Sequence, residues 1–160
     1  MNQDETYMRL ALAEAQKAFD LGEVPIGAIL VDRNGGIIFS GHNMRESWHD
    51  ATAHAEMIVI QEACKQLKRW RLTGTTLYVT IEPCPMCAGA LVMSRIDRIV
   101  YGGLDYKAGA AESVFNIVDN AALNHQLQVT AGVLSDECSA IMKTFFRQRR
   151  EMNKQEKKAR

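Results

Sequence analysis

Along this chain the spacing of apolar residues switches repeatedly between three-to-four and two, and that alternation restricts the fold more than any other feature. From Asp4 to Leu21, the residues Met8, Ala11, Leu12, Ala15, Ala18 and Phe19 form one helical stripe, with Asn2 or Asp4 as its cap and Gly22 as its stop. "VPIGAILVD" and "GIIFSGHN" read as two strands joined by a tight turn at "RNGG". A helix over "AHAEMIVIQEACKQL", a strand "TTLYVTI" dense in β-branched residues, a helix after Pro85 and a strand "DRIVYGG" follow. Residues 104–126 read as loop with at most one helical turn, and "LQVTAGV" as a last strand. Asp136 to about Met152 reads as a last helix carrying Cys138, Ile141, Met142, Phe145 and Phe146 on one face. Strands interleaved with helices need a sheet that is at least partly parallel and covered on both faces. The expectation is an α/β fold, three-layer α/β/α, around a mixed, roughly five-stranded sheet. With no internal repeat, low-complexity tract or linker, residues 1–160 are expected to form a single domain.

Composition narrows the functions open to such a fold. Hydrophobic residues make up 47% and charged residues 24%, as in ordinary globular proteins. The start, "MNQDETYMRLALAEAQKAF", has acidic residues and no basic leader region, and no apolar run approaches the length of a membrane span. A cytoplasmic protein without a membrane partner is expected. Four cysteines in such a chain point to metal or reactive chemistry over a disulfide framework. The zero net charge hides an asymmetry: from Lys143 onward eight Lys or Arg face two Glu. This basic tail is either a solvated helix end or an arm for phosphates, in which Arg147, Arg149 and Arg150 would be contacts. Charge alone does not choose between them.

The stretch "EPCPMCAGALVM", from Glu82 to Met93, carries the chemistry. Cys84 and Cys87, three residues apart in a first helical turn, share a face about 5–6 Å apart at Cβ. That separation lets both sulfurs bind one tetrahedral zinc. Pro85 suits the first turn, Pro83 keeps the approach extended, and the helix N-terminus favours thiolate over thiol. A lone C-x-x-C is equally a buried or redox-active pair. "TAHAEM", thirty residues upstream, changes this, because His54 and Glu56 open another helix behind another strand. His54, Cys84 and Cys87 make three ligands, and a catalytic zinc keeps its fourth position for water. Cys64 lies about 15 Å further along the helix of His54 and cannot close the site. Spacing leaves Cys138, His42 and His49 open, although Cys138 fits the apolar face of the last helix better. Glu56, beside bound water, is placed to move protons.

With these residues in hand, the sequence resembles the zinc-dependent cytidine deaminase-like enzymes, whose signature is H-x-E followed by P-C-x-x-C. "EVPIGAILV", "TAHAEM", "TLYVTIEPCPMCAGALVMSRI", "YGGLDYKAGAAES" and "FFRQRR" are similar to the bacterial branch that deaminates tRNA. That branch converts adenosine at the anticodon wobble position into inosine and is homodimeric. The resemblance implies one zinc per chain on His54, Cys84 and Cys87, with Glu56 shuttling protons between zinc-activated water and the base. It further implies that Asn43 hydrogen-bonds the extruded base and that Asp105 and Lys107 lie beside the RNA of an anticodon stem-loop. One of Phe145 and Phe146 would reach the RNA. Taken alone, Asn43 reads as a turn residue, Asp105 and Lys107 as a solvated loop, and the phenylalanines as core anchors. Two other functions compete: a deaminase of free guanine or cytidine type, and a non-catalytic zinc-stabilised RNA-binding module. The first has no use for "FFRQRR", and its cytidine type commonly carries Cys at the position of His54. The second leaves Glu56 without a task.

Overall fold

The computed structural model describes residues 2–160. Helix α1 (Gln3–Asp20) begins where the side chain of Asn2 accepts the Glu5 N–H at 2.8 Å, with Asp4 and Glu5 at the positive end of the helix. It ends at Gly22, whose φ of +80° lets the Glu23 N–H reach back to the Ala18 carbonyl. Strands β1 (Gly27–Val31) and β2 (Ile37–His42) form the expected hairpin. Its turn is held by Asp32, whose Oδ1 accepts the N–H groups of Asn34 and Gly36, each at 2.9 Å. Then follow α2 (Ala55–Leu67), β3 (Thr76–Ile81), α3 (Pro85–Met93), β4 (Arg98–Gly103), β5 (Gln128–Thr130) and α4 (Ser135–Ala159). The five strands lie in the order β2-β1-β3-β4-β5. β1 runs antiparallel to both its neighbours, whereas β3, β4 and β5 are parallel.

Side chains alternate across the strands, so neighbouring residues enter different cores. Leu30, Leu77, Val79 and Ile99 pack with Val59 of α2 and Leu91 of α3. Ile29, Tyr78 and Val100 pack on the opposite face with Met8 of α1 and Cys138 of α4. The layering is therefore α/β/α, with α2 and α3 on one side and α1 and α4 on the other. At Gly27 α1 lies so close to β1 that a methyl group would overlap the backbone of Ala11 and Ala15.

Two boundaries depart from the sequence reading. β5 has only three residues, and α4 runs to Ala159 instead of ending near Met152. The tail "NKQEKKA" lacks an apolar stripe, but it also lacks Gly and Pro and is rich in good helix formers. The single apolar face expected for α4 also divides: Cys138 and Phe145 are buried, while Phe146 is 41% exposed. Among the described residues no helix is long and apolar enough to cross a membrane.

One polar tie spans the layers. Arg98 on β4 donates to Asp4 of α1 at 3.0 and 2.7 Å, and the Tyr78 hydroxyl donates to the same carboxylate at 2.8 Å. The Arg98 hydrogen bonds hold the Asp4 carboxyl below its ordinary range against the opposing effect of burial. A lowered folded pKa adds stability at pH values above the unfolded one, and that stability is lost as pH falls through the folded value. Asp4→Asn is therefore expected to cost about 1–3 kcal/mol at pH 7. The gap to the parent should narrow as pH falls below the ordinary Asp value of 3.8. Urea unfolding of both proteins across pH checks this; a gap independent of pH would contradict it.

Candidate active site

The carboxyl ends of β3 and β4 share one edge of the sheet with the start of β1 and the end of β2, because β1 opposes β3 and β2 opposes β1. The residues that open α2 and α3 converge at this edge. His54 is the N-cap of α2 and Cys84 the N-cap of α3, and neither side chain caps its own helix. The two turn towards each other instead. His54 Nδ1 lies 3.6 Å from Cys84 Sγ and 3.5 Å from Cys87 Sγ, and the three donor atoms all lie within 4.8 Å of one another. A tetrahedral zinc with ordinary Zn–N and Zn–S bonds sets neighbouring N and S atoms roughly 3.6 Å apart. The donor set fits zinc in ligand type and in spacing. Among the described residues no fourth His, Cys, Asp or Glu joins it. His42 Nδ1 pairs with Glu14 at 2.8 Å, and His49 sits exposed at φ +50°. Cys138 belongs to the core on the other face, where burial pushes its thiol up to about 12.

The sulfurs are electrostatically unequal. A hydrogen bond from Cys87, assisted by His54, holds Cys84 down at about 4, and Cys87, which gives that bond, is pushed up. The bond to Cys84 likewise raises His54. Two helix N-termini point positive ends at this corner, and a divalent cation held by His54, Cys84 and Cys87 would supply the further charge that lets both sulfurs be thiolates. Glu56, in the first turn of α2, is 4% exposed, and burial lifts its carboxyl to about 7. That value suits a group that takes and returns a proton near neutral pH.

These groups floor a cavity of about 730 Å³, within the usual range for a ligand pocket. His54, Glu56, Cys84 and Asn43 line its base. Asn43 is buried and oriented by its backbone neighbours: Nδ2 donates to the Val24 carbonyl at 3.2 Å, and Oδ1 accepts the Arg45 N–H at 3.1 Å. One N–H and one lone pair of the amide remain for a ligand. A second wall is the segment from Leu104 to Ala108, which includes Asp105 and Lys107. Asp105 Oδ1 also accepts the N–H groups of Lys107 and Ala108, so it shapes the loop it stands on. The third wall is α4, through Ser139, Met142, Lys143 and Phe146, a stripe at i, i+3, i+4 and i+7.

Of the two phenylalanines, Phe146 faces the cavity, whereas Phe145 is buried with its ring 5.7 Å from that of Phe19. Arg147, Arg149 and Arg150 are exposed on α4 and lie outside the cavity wall. Arg149 is already engaged, donating to the Gly22 carbonyl at 2.7 Å and resting over the Phe145 ring. Three residues of the site, Arg45, Glu23 and Glu82, have no assigned role in the sequence reading, and Lys143 enters it only as the start of the basic tail. Arg45 and Lys143 line the cavity, and the buried carboxylates of Glu23 and Glu82 hold its loops. Glu23 accepts the N–H groups of Glu46 and Ser47 at 3.0 and 2.6 Å, which fixes the segment leading to His54.

An α/β/α sandwich with a His–Cys–Cys zinc set and a buried carboxylate beside it defines a zinc-dependent hydrolytic deaminase. The family model of the cytidine and deoxycytidylate deaminase zinc-binding region matches residues 1–103, and the chain belongs to that family. It is 52% identical over 158 residues to the tRNA-specific adenosine deaminase of Bacillus subtilis strain 168, covering 99% of this chain and 98% of that one. It is 51% identical over 154 residues to the tRNA-specific adenosine deaminase of Haemophilus influenzae, covering 96% of this chain and 89% of the relative. A solved structure from work on A-to-I editing by tRNA:A34 deaminases at the wobble position superposes with a TM-score of 0.81 at 43% identity. That match covers 85% of this chain and 98% of the other.

Proposed function

We propose that this chain hydrolytically deaminates adenosine to inosine at the wobble position of a tRNA anticodon. The observation that carries this reading is a cavity that joins a zinc donor set and a buried Glu56 at its base to Arg45, Lys107, Lys143 and Phe146 around it. Likeness to tRNA-specific adenosine deaminases, at about half of the residues identical over nearly the whole chain, supports the same reading. Zinc held by His54, Cys84 and Cys87 would supply a Lewis acid that makes water nucleophilic near neutral pH. The remaining work falls to the chain. Asn43 holds the adenine, turned out of its stack, through the hydrogen-bonding capacity left on its amide. Glu56 takes a proton from the water that adds at C6 and delivers it to ring N1, then takes the proton of the new C6 hydroxyl and passes it to the departing amine. The C6–N bond breaks and ammonia leaves. Phe146 offers a stacking face to a neighbouring base, while Arg45, Lys107 and Lys143 meet phosphates, with Asp105 shaping the loop between.

The chain is read as a single domain, working in the cytoplasm where its RNA would be. A homodimer is supported by α3, whose Met86, Gly89 and Met93 side is left uncovered: Met93 is 69% exposed and nothing lies within 4 Å of a methyl group at Gly89. Sedimentation at micromolar concentration tests this, and a lone 17.9 kDa species would remove the dimer.

Incubation with an anticodon stem-loop, free adenosine, guanine and cytidine tests the activity. Inosine at the wobble position of the stem-loop is expected; product from free guanine or cytidine, with none from the stem-loop, would replace this reading by a free-base enzyme. The basic end of α4 would extend the RNA footprint beyond the cavity. Because Arg149 serves Gly22 and Phe145, Arg147→Ala/Arg150→Ala is the cleaner variant. It is expected to weaken stem-loop binding and lower the slope of log K against log salt by roughly 0.7–0.9 per lost contact. Unchanged affinity and slope would make this helix end a solvated terminus.

A further inference from the structure

Glu82, which follows β3 and precedes Pro83, is 3% exposed, yet among the described residues no cation pairs with its carboxylate. Five donors from one loop converge on it instead. Oε1 accepts the Asp105 N–H at 3.1 Å and the Ser113 hydroxyl. Oε2 accepts the N–H groups of Ala111, Glu112 and Ser113 at 3.1, 2.8 and 2.9 Å. Gly109 lies against the same carboxylate, so closely that a methyl group there would overlap it. Next door, the Pro83 carbonyl accepts the Ala110 N–H at 2.8 Å. Both ends of the segment that presents Asp105, Tyr106 and Lys107 to the cavity are thus tied to one buried side chain. Among the described residues the N–H groups of Asp105, Ala111, Glu112 and Ser113 have no other acceptor, and a carboxylate is the side chain that can accept from so many at once.

We propose that Glu82 is a positioning residue for RNA: its carboxylate fixes the Leu104–Ala108 wall in the shape that receives the nucleotides beside the reacting base. The inference rests on the tRNA reading above. Glu82 does not line the cavity, and none of its side-chain hydrogen bonds goes to a zinc donor atom, so its loss acts on binding of the RNA and leaves the chemistry of bound RNA in place.

Glu82→Gln keeps the size of the side chain but turns an N–H₂ group towards the loop's donors. Gly109→Ala drives a methyl group into the same contact from the other side, far along the chain from the zinc ligands. Ser113→Ala removes one donor. Both Glu82→Gln and Gly109→Ala are expected to keep one zinc per chain and to speed amide exchange at residues 111–113. Their KM for an anticodon stem-loop should rise about tenfold or more, with kcat at saturating RNA within about threefold of the parent. Ser113→Ala should show the same pattern, more weakly. Unchanged exchange and KM would overturn the proposal, as would loss of zinc or a fall in kcat with KM unchanged. Should Glu82→Gln fail to fold, Gly109→Ala and Ser113→Ala decide by the same readouts. Exchange is measured without RNA, and failure of the parent protein to edit the stem-loop would count against the tRNA reading separately. In that event unchanged exchange at residues 111–113 would still overturn the clamp.

Discussion

Glu56→Ala protein is expected to hold one zinc per chain and to form no measurable inosine. The carboxylate stands in the first turn of α2, outside the group of donor atoms formed by His54, Cys84 and Cys87, so metal content should not depend on it. Its assigned work is two proton transfers, from water to the ring and from the new C6 hydroxyl to the departing amine. General acid–base catalysis at one such step is worth roughly 10²–10⁴-fold, and losing both should exceed that. Stability should move the other way. Glu56 is a buried carboxyl raised to about 7 by desolvation, so replacing it by a small apolar residue removes a strained polar group. An unchanged or higher melting temperature, full zinc and no product is the expected pattern. Loss of zinc, or deamination near the parent rate, would take the proton-carrying role from Glu56.

Cys87→Ala is expected to have the opposite signature: zinc falls well below one per chain and activity falls with it. Cys87 is fully buried and supplies one of only three protein donors. A metal that binds the folded chain stabilises it by mass action, about 2.7 kcal/mol at a free concentration a hundred times its Kd. The parent's melting temperature should therefore rise with added zinc, and the variant's should not follow at the same concentrations. Elemental analysis and a zinc-dependent melting series read both effects. A variant with full zinc content would mean that the metal is held elsewhere.

The clustering of His54, Cys84 and Cys87 into one possible metal site was legible because its signal is local. Cys84 and Cys87 are joined by a spacing that one helical turn converts into proximity, and each half of the constellation sits where a strand gives way to a helix N-terminus. The fold was legible for the same reason, since the periods of two and three-to-four alternate along the chain. β5 fell short because a three-residue edge strand is defined by its pairing to β4, which leaves no mark in "LQVTAGV". The tail of α4 was missed because its helix rests on propensity and not on a buried stripe.

Phe145 and Phe146 were not separable by periodicity. Both lie at the boundary of the apolar face, and only the packing of Phe145 against Phe19 turns one inward and leaves the other to the cavity. Glu23 and Glu82 were invisible for a different reason. Their partners are backbone N–H groups of distant loops, which every sequence possesses, so no residue type announces the contact. Arg45 and Lys143 are single charges on a loop and a helix, and only the tertiary fold brings them to the same cavity as Lys107.

The most direct measurement strips the protein of metal, returns zinc stepwise, and counts inosine at the wobble adenosine of an anticodon stem-loop against zinc bound per chain. Inosine formation is expected to be absent without metal, to rise in proportion to bound zinc, and to level off at one zinc per chain. Undiminished inosine formation by metal-free protein, or full zinc occupancy with no inosine in any stem-loop, would contradict a zinc-dependent tRNA adenosine deaminase.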